Sequence, residues 1–181
     1  MPSLKEGEDY MEKGYVHLYT GNGKGKTTAA LGLCLRAVCA GKKVFFGQFI
    51  KGMHYSELKA VEYLPGFEMK QYGNDCFIYR DPTDKDVELA KDGLKELGRI
   101  IKSGAYDIVV MDEVNIALYY KLFDVEDVIE ILDSLPQQTE VVLTGRYAPE
   151  KLVDFADLVT EMKEIKHYYQ QGVEARTGIE K

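Results

Sequence analysis

Residues 15–28 have the sequence YVHLYTGNGKGKTT, in which a short β-rich stretch leads into a glycine loop and then into a helix-forming segment. Gly21, Gly23 and Gly25 let the backbone take positive φ values and aim successive N–H groups inward. The helix that begins near Lys26 points the positive end of its dipole at the same spot. The stretch therefore predicts a phosphate-binding loop. The alternative is a glycine-rich turn between a strand and a helix that binds no ligand.

The loop follows the motif G-x-x-x-x-G-K-S/T, which assigns roles to two polar side chains. Lys26 would reach the terminal phosphates, with a side chain that faces solvent when no ligand is bound, and the Thr27 hydroxyl would bind Mg²⁺. The first motif position is Thr20 instead of glycine, so we expect the strand to end without the usual left-handed residue. The other predicted nucleotide-binding residues of this loop are Gly21, Asn22, Gly23, Lys24, Gly25 and Thr28.

Composition favours a soluble cytoplasmic protein with one compact domain over residues 14–181. The polar arm at residues 1–13 is either disordered or folds over an active site. The three cysteines form no CxxC pair, which argues against a zinc ribbon and for a reducing compartment. No stretch predicts a membrane span or a signal peptide, and the net charge of −7 argues against a nucleic-acid partner.

Apolar strand patterns alternate with helix patterns along the whole chain. The predicted strands after the first are 43–50, 67–72, 106–111, 140–143 and 158–162, and the predicted helices are 27–40, 56–64, 83–103, 124–135 and 149–156. Strands that are apolar throughout indicate a sheet covered on both faces. The sequence therefore predicts an α/β fold of the RecA-like P-loop NTPase type, with a mostly parallel central sheet and helices on both faces. The residues after Ile165 predict an extended tail.

Two acidic residues, Asp112 and Glu113, follow the apolar run IVVM. In a parallel α/β sheet, ligands bind at the carboxyl ends of the strands. Asp112 would hold Mg²⁺ directly or through water, and Glu113 would be a second ligand or a base that orients water. The alternative is a cap of the turn that follows the strand.

Three further polar residues lie at or after the ends of predicted strands, on the same edge. Gln48 and Lys51 belong to QFIKG, and Lys51 would add positive charge to a triphosphate. The alternatives are a strand-end amide and a solvated lysine. Arg146 belongs to TGRY, where it would form bidentate phosphate contacts, unless it is a surface arginine in a turn.

The histidines do not predict a metal site. His17 lies inside the first strand and His54 in a loop, and neither has a second ligand at metal spacing. His167 has no adjacent nucleophile. The tail that includes residues 172–180 is either an interaction segment or a frayed end, and composition leaves both open.

The segments TGNGKGKTTAALG, QFIKG, VVMDE, VVLTGR and KHYYQQGVEARTGIE together resemble the P-loop type of ATP:corrinoid adenosyltransferases, also called cob(I)alamin adenosyltransferases. The resemblance runs in order from about residue 14 to residue 180. It implies that Co(I) of a reduced corrinoid, cobalamin or cobinamide, attacks C5′ of ATP and releases inorganic triphosphate. Mg²⁺, Lys26 and Arg146 would stabilise this leaving group. It further implies a homodimer and a flavoprotein that supplies electrons.

The resemblance also implies a role for the loop after the third strand. In the enteric members, aromatic residues of this loop help to remove the lower axial ligand of cobalt. Phe77 matches an aromatic position, whereas Tyr79 stands where those members carry tryptophan. We therefore predict Phe77 as a catalytic residue, the alternative being ordinary loop packing. Two other functions stay open, a thymidine-kinase-like nucleoside kinase, whose zinc-binding cysteine pairs are absent here, and a RecA-like motor or ATP-driven binding module.

Overall fold

A parallel sheet of six strands forms the centre of the protein. The computed structural model describes residues 14–52, 55–74 and 81–181. The strands are β1 (Val16–Thr20), β2 (Val44–Phe49), β3 (Phe67–Tyr72), β4 (Ile108–Asp112), β5 (Glu140–Thr144) and β6 (Leu158–Glu161). Their order across the sheet is β3-β2-β4-β5-β1-β6, and each neighbouring pair is parallel. The predicted α/β fold with a mostly parallel sheet is confirmed.

Helices cover both faces of this sheet. They are α1 (Lys26–Cys39), α2 (Ala60–Tyr63), α3 (Asp84–Ser103), α4 (Val114–Tyr119), α5 (Val125–Asp133) and α6 (Glu150–Phe155). α1 and α2 pack against Phe46 and Val110 on one face, and α3 to α6 surround Met111 and Leu143 on the other. Successive strand residues point to opposite faces, so one apolar run supplies both cores. No helix in the described ranges is both long and apolar enough to cross a membrane.

Local capping signals set the helix ends that the sequence predicts. Thr83 and Asp86 form a capping box, in which the Asp86 N–H donates to Thr83 Oγ1 and the Thr83 N–H donates to Asp86 Oδ2. Gly104 ends α3 with φ 62°, and Gly41 follows α1 with φ 81°. Asp124 begins α5 through a second capping box.

Two helical segments differ from the prediction. The predicted helix 56–64 consists of a 3₁₀ turn (Ser56–Lys59) followed by α2, and Tyr55 instead of Ser56 is the N-cap residue. α4 was not predicted, because no side-chain cap marks its start. It begins after Glu113, which is held at φ 59°. Tertiary contacts to β5 and β2 therefore stabilise a helix that its own sequence does not signal.

The tail after β6, which the sequence predicts as extended, has little regular secondary structure. It contains a 3₁₀ turn (Tyr168–Gln171) and returns to the sheet edge, where Lys24 Nζ donates to the carbonyl oxygen of Ile179 at 3.2 Å. The pKa of Glu180 is lowered to about 2, chiefly by hydrogen bonds from Arg176 and to a smaller extent by the hydrogen bond from the Tyr168 hydroxyl. These contacts hold the last residues beside the glycine loop.

Candidate active site

A cavity of about 700 Å³ lies at the carboxyl edge of the sheet, where the sequence predicts the ligand site. The glycine loop forms one wall, and the ends of β2, β4 and β5 form the floor. The folded tail, residues 178–181, forms a further wall. The predicted site residues that line the cavity are Gly23, Lys24, Gly25, Lys26, Thr27, Thr28, Lys51, Glu113 and Arg146.

The glycines of the loop serve two different purposes. Gly21 and Gly25 have φ values of 92° and 123°, which L-residues rarely adopt. Thr20 is the last residue of β1, so Gly21 supplies the left-handed residue that we expected to be missing. Gly23 does not have the predicted positive φ. Its N–H instead donates to Met162 O at 2.6 Å, which presses the loop against the chain after β6.

Gly23→Ala is expected to destabilise the protein and to weaken nucleotide binding. A Cβ at this position would lie 2.7 Å from Met162 O and 2.9 Å from the carbonyl carbon of Lys163, so the loop would have to move. Thermal unfolding and ATP titration measure both effects. The matched control is Gly32→Ala, because a Cβ there meets nothing within 4 Å and the change favours the helix. Equal melting temperatures for the two variants would contradict the expectation.

Lys26 is buried, with 8% of its surface exposed, so the expectation that it faces solvent is wrong. Its ammonium donates to the carbonyl oxygens of Gly21 at 2.8 Å and Gly23 at 2.7 Å. Burial lowers the pKa of Lys26, and Glu113 and Asp112 partly oppose this effect while Arg146 adds to it. The charge is therefore held inside the curve of the loop, in the position from which it can reach a phosphate.

Asp112 is fully buried and accepts hydrogen bonds on both carboxylate oxygens. The hydroxyls of Thr27 and Thr144 donate to Oδ1 at 2.9 and 2.7 Å. Gln48 Nε2 and Lys51 Nζ donate to Oδ2 at 3.2 and 3.0 Å. Residues of α1, β2 and β5, together with Lys51 in the turn after β2, thus fix the orientation of one carboxylate before any ligand binds, as a ligand site requires.

Gln48 supports Asp112 and is not among the residues that line the cavity. Its side chain is fully buried, and its Oε1 accepts a hydrogen bond from Gln71 Nε2 at 3.1 Å. Gln48 is opposite Gln71 on β3 and opposite Asp112 on β4. Gln48, which the sequence predicts to bind nucleotide, therefore contacts the Asp112 carboxylate and affects the cavity indirectly, through it. Sequence reasoning missed Gln71 and Thr144, because their relation to Asp112 exists only across strands.

Three non-glycine residues at this edge have left-handed backbone conformations. Ile50, Glu113 and Tyr147 follow β2, β4 and β5 directly or closely, with φ values of 68°, 59° and 60°. This conformation is strained for residues with a Cβ, and most of all for a β-branched one. Strain of this kind concentrates at functional sites.

Glu113 and Arg146 complete the charged lining. Burial raises the pKa of Glu113, as does neighbouring Asp112, although Lys51, Lys26 and Arg146 oppose this shift. The Glu113 N–H donates to Thr144 Oγ1 at 3.0 Å. Arg146 is exposed at the cavity and follows Gly145, whose carbonyl oxygen accepts from Asn115 Nδ2 at 2.9 Å. α4, which the sequence did not predict, therefore positions the arginine.

The remaining predicted residues either do not line the cavity or lie outside the residues that the structure describes. Gly21 and Asn22 belong to the loop but do not line the cavity. Phe77 and Tyr79 lie outside the described residues, as does His54. Cavity-lining residues that the sequence analysis missed are Leu31, Ile50, Tyr55, Ser56, Glu57, Ile116, Tyr120, Tyr147 and His167. Ile50 and Tyr147 lie close after the ends of β2 and β5, a position that was the available signal for these two, whereas the others lie farther along the chain.

Thr27 and Asp112 fit a magnesium ion that is bound mainly by phosphate. Their Oγ1 and Oδ1 atoms are 2.9 Å apart and lie beside the loop. In the part of the chain that the structure describes, no group of three or more His, Cys, Asp or Glu side chains is arranged to hold a metal. Phosphate oxygens and water would have to supply the other ligands, which is usual for Mg²⁺.

The chain is similar throughout to known proteins. The family model for ATP:corrinoid adenosyltransferase BtuR/CobO/CobP matches residues 12–180. The chain belongs to this family. It is 37% identical over 180 residues to a corrinoid adenosyltransferase of a Sinorhizobium species, with 93% of this chain and 81% of the relative covered. Corrinoid adenosyltransferases of Escherichia coli and Salmonella typhimurium are 32% and 33% identical over 169 residues, with 93% of this chain and 86% of each relative covered.

Membership of this family defines the reaction in outline. The protein is a transferase that moves an adenosyl group to a corrinoid, and its substrates are ATP and the corrinoid. The glycine loop and the charged residues at the carboxyl edge of the sheet are therefore the candidate ATP site of this adenosyltransferase.

Proposed function

We propose that the protein transfers the 5′-deoxyadenosyl group of MgATP to the Co(I) centre of a reduced corrinoid and releases inorganic triphosphate. The observation that carries this proposal is that Lys26, Thr27 and Arg146 line one cavity, and that the Thr27 hydroxyl is hydrogen-bonded to Asp112, which is buried and does not line the cavity itself. These groups suit a triphosphate that stays intact. The product would be adenosylcobalamin or adenosylcobinamide.

The chemistry is a single displacement at C5′. The cobalt electron pair forms the Co–C bond while the bond from C5′ to the α-phosphate oxygen breaks, and triphosphate leaves with the bonding pair. Lys26, Arg146 and the loop N–H groups would neutralise the charge that grows on this leaving group. Bound Mg²⁺ would add a Lewis acid held by Thr27, Asp112 and Glu113. A general base is unnecessary because the nucleophile carries no proton.

The other residues of the predicted site keep their proposed roles. We propose that Asn22, Lys24, Gly25 and Thr28 contact the nucleotide with the rest of the loop, and that Phe77 acts on the lower face of the corrinoid. Residues 14–181 would form one domain, preceded by the arm at 1–13. The family resemblance further supports a cytoplasmic homodimer that receives electrons from a flavoprotein, with no nucleic-acid or membrane partner.

Product analysis tests this function. Under anaerobic conditions, with ATP and chemically reduced corrinoid, we expect one inorganic triphosphate for each adenosylated corrinoid, and neither ADP nor AMP. Ion-exchange chromatography of the phosphates and the visible spectrum of the corrinoid measure the two products. ADP that forms only when a nucleoside is added would instead support a nucleoside kinase, and ADP that forms without any acceptor would support a motor or an ATP-driven module.

A further inference from the structure

The ammonium of Lys51 is enclosed by acidic and aromatic groups. Its Nζ lies 3.0 Å from Asp112 Oδ2 and 3.7 Å from Glu57 Oε1, and it lies over the Tyr55 ring, 5.1 Å from the centroid. Only 15% of the side chain is exposed. Lys51 is therefore already fully engaged as a counter-ion, although the sequence suggested a residue that contacts triphosphate.

The backbone commits Lys51 to this position. Ile50, the residue before it, is β-branched and has a φ of 68°, and the Lys51 N–H donates to Phe49 O at 2.7 Å. This tight turn directs the lysine back over the end of β2. The conformation is costly for isoleucine, so the surrounding structure must stabilise it.

Because Lys51 lies at Oδ2, the two carboxylate oxygens of Asp112 have different kinds of partner. Oδ1 faces the hydroxyls of Thr27 and Thr144, on the side of the glycine loop. Oδ2 faces the N–H donors of Lys51 and Gln48. A threonine hydroxyl can rotate its hydrogen away and offer a lone pair to a cation, whereas an ammonium or an amide NH₂ cannot. A divalent cation can therefore approach Asp112 only from the Oδ1 side.

We infer that Lys51 is a permanent counter-ion of Asp112 and Glu57, and that it makes divalent-cation binding depend on the phosphates of ATP. This inference rests on the proposed function, because the cation concerned is the one that accompanies ATP. The positive charge offsets the carboxylates near the cavity, so that protein ligands alone bind the metal weakly. Lys51 is thus a positioning residue that acts through Asp112.

Titration with Mn²⁺ in the absence of nucleotide, followed by electron paramagnetic resonance, tests this role. Lys51→Met removes the charge but keeps an unbranched side chain only one atom shorter, and we expect it to raise the affinity for Mn²⁺ by at least about tenfold. Lys51→Arg keeps the charge and should behave as the unaltered protein. Lys70→Met is the matched control, because Lys70 pairs with Glu96 outside the cavity.

A second measurement separates this role from direct phosphate contact. ATP binding without any metal should change by no more than about twofold in Lys51→Met, since the charge that meets phosphate is that of Lys26. An unchanged Mn²⁺ affinity, or an equal gain in Lys70→Met, would overturn the inference. A loss of metal-free ATP binding would do the same. If the unaltered protein does not bind ATP, the proposed function is contradicted. The Mn²⁺ titration, which uses no nucleotide, would still show whether Lys51 weakens metal binding.

Discussion

Replacement of Lys26 by alanine is expected to reduce adenosyl transfer by about 10³-fold, because it removes the charge closest to the leaving triphosphate. The ammonium is held by the carbonyl oxygens of Gly21 and Gly23 inside the loop. Single-turnover measurements with chemically reduced corrinoid report the chemical step directly.

The buried position of Lys26 requires a second variant. Because Lys26→Ala also leaves a space in the loop, Lys26→Met should be measured beside it, and we expect the same loss of activity with a smaller loss of thermal stability. Lys24→Ala removes an equal charge from the same loop, but that side chain is exposed and reaches Ile179, so a much smaller loss is expected. Near-normal turnover of Lys26→Met would contradict the assignment.

Replacement of Asp112 by asparagine should raise the Mg²⁺ concentration that the reaction requires and remove most of the activity, because the metal loses a carboxylate ligand. Only the amide oxygen can face Lys51 and Gln48, because both are donors at that side. The amide NH₂ must then point at Thr27 and Thr144, whose hydroxyls have to become acceptors. One of the two lone pairs of the Thr27 hydroxyl is then occupied by the amide, and Lys51 keeps an oxygen partner but loses the negative charge that it neutralises.

The same change is expected to lower the free energy of unfolding by about 3 kcal/mol, the usual cost of breaking one side of a buried ion pair. Urea unfolding measures this cost, and transfer rates over a range of Mg²⁺ concentrations measure the metal dependence. Asp92→Asn is the control, because that carboxylate is 67% exposed on α3. A Mg²⁺ dependence like that of the unaltered protein would remove Asp112 as a metal ligand.

Local signals predicted the parts of the fold that depend on neighbours in sequence. The capping box at Thr83 and Asp86, the glycine after α1 and the apolar runs of the strands are such signals. The loop motif predicted Lys26, Thr27 and, with the acidic pair at 112–113, the edge where the cavity lies. In each case the residues themselves restrict the backbone or require burial.

What the sequence by itself determined is the fold class, the phosphate loop and the family to which the chain belongs. Only the tertiary structure decided that Lys26 is buried, that Gln48 supports Asp112, that Lys51 is paired with carboxylates and that the tail forms a wall of the cavity. The physical reason is that the Gln48, Lys51 and tail contacts join groups that are distant in sequence, such as Lys24 and Ile179, whereas the burial of Lys26 depends on how the loop curves around its ammonium. Burial and pairing of a charged side chain are properties of the assembled sheet edge, and no local pattern encodes them.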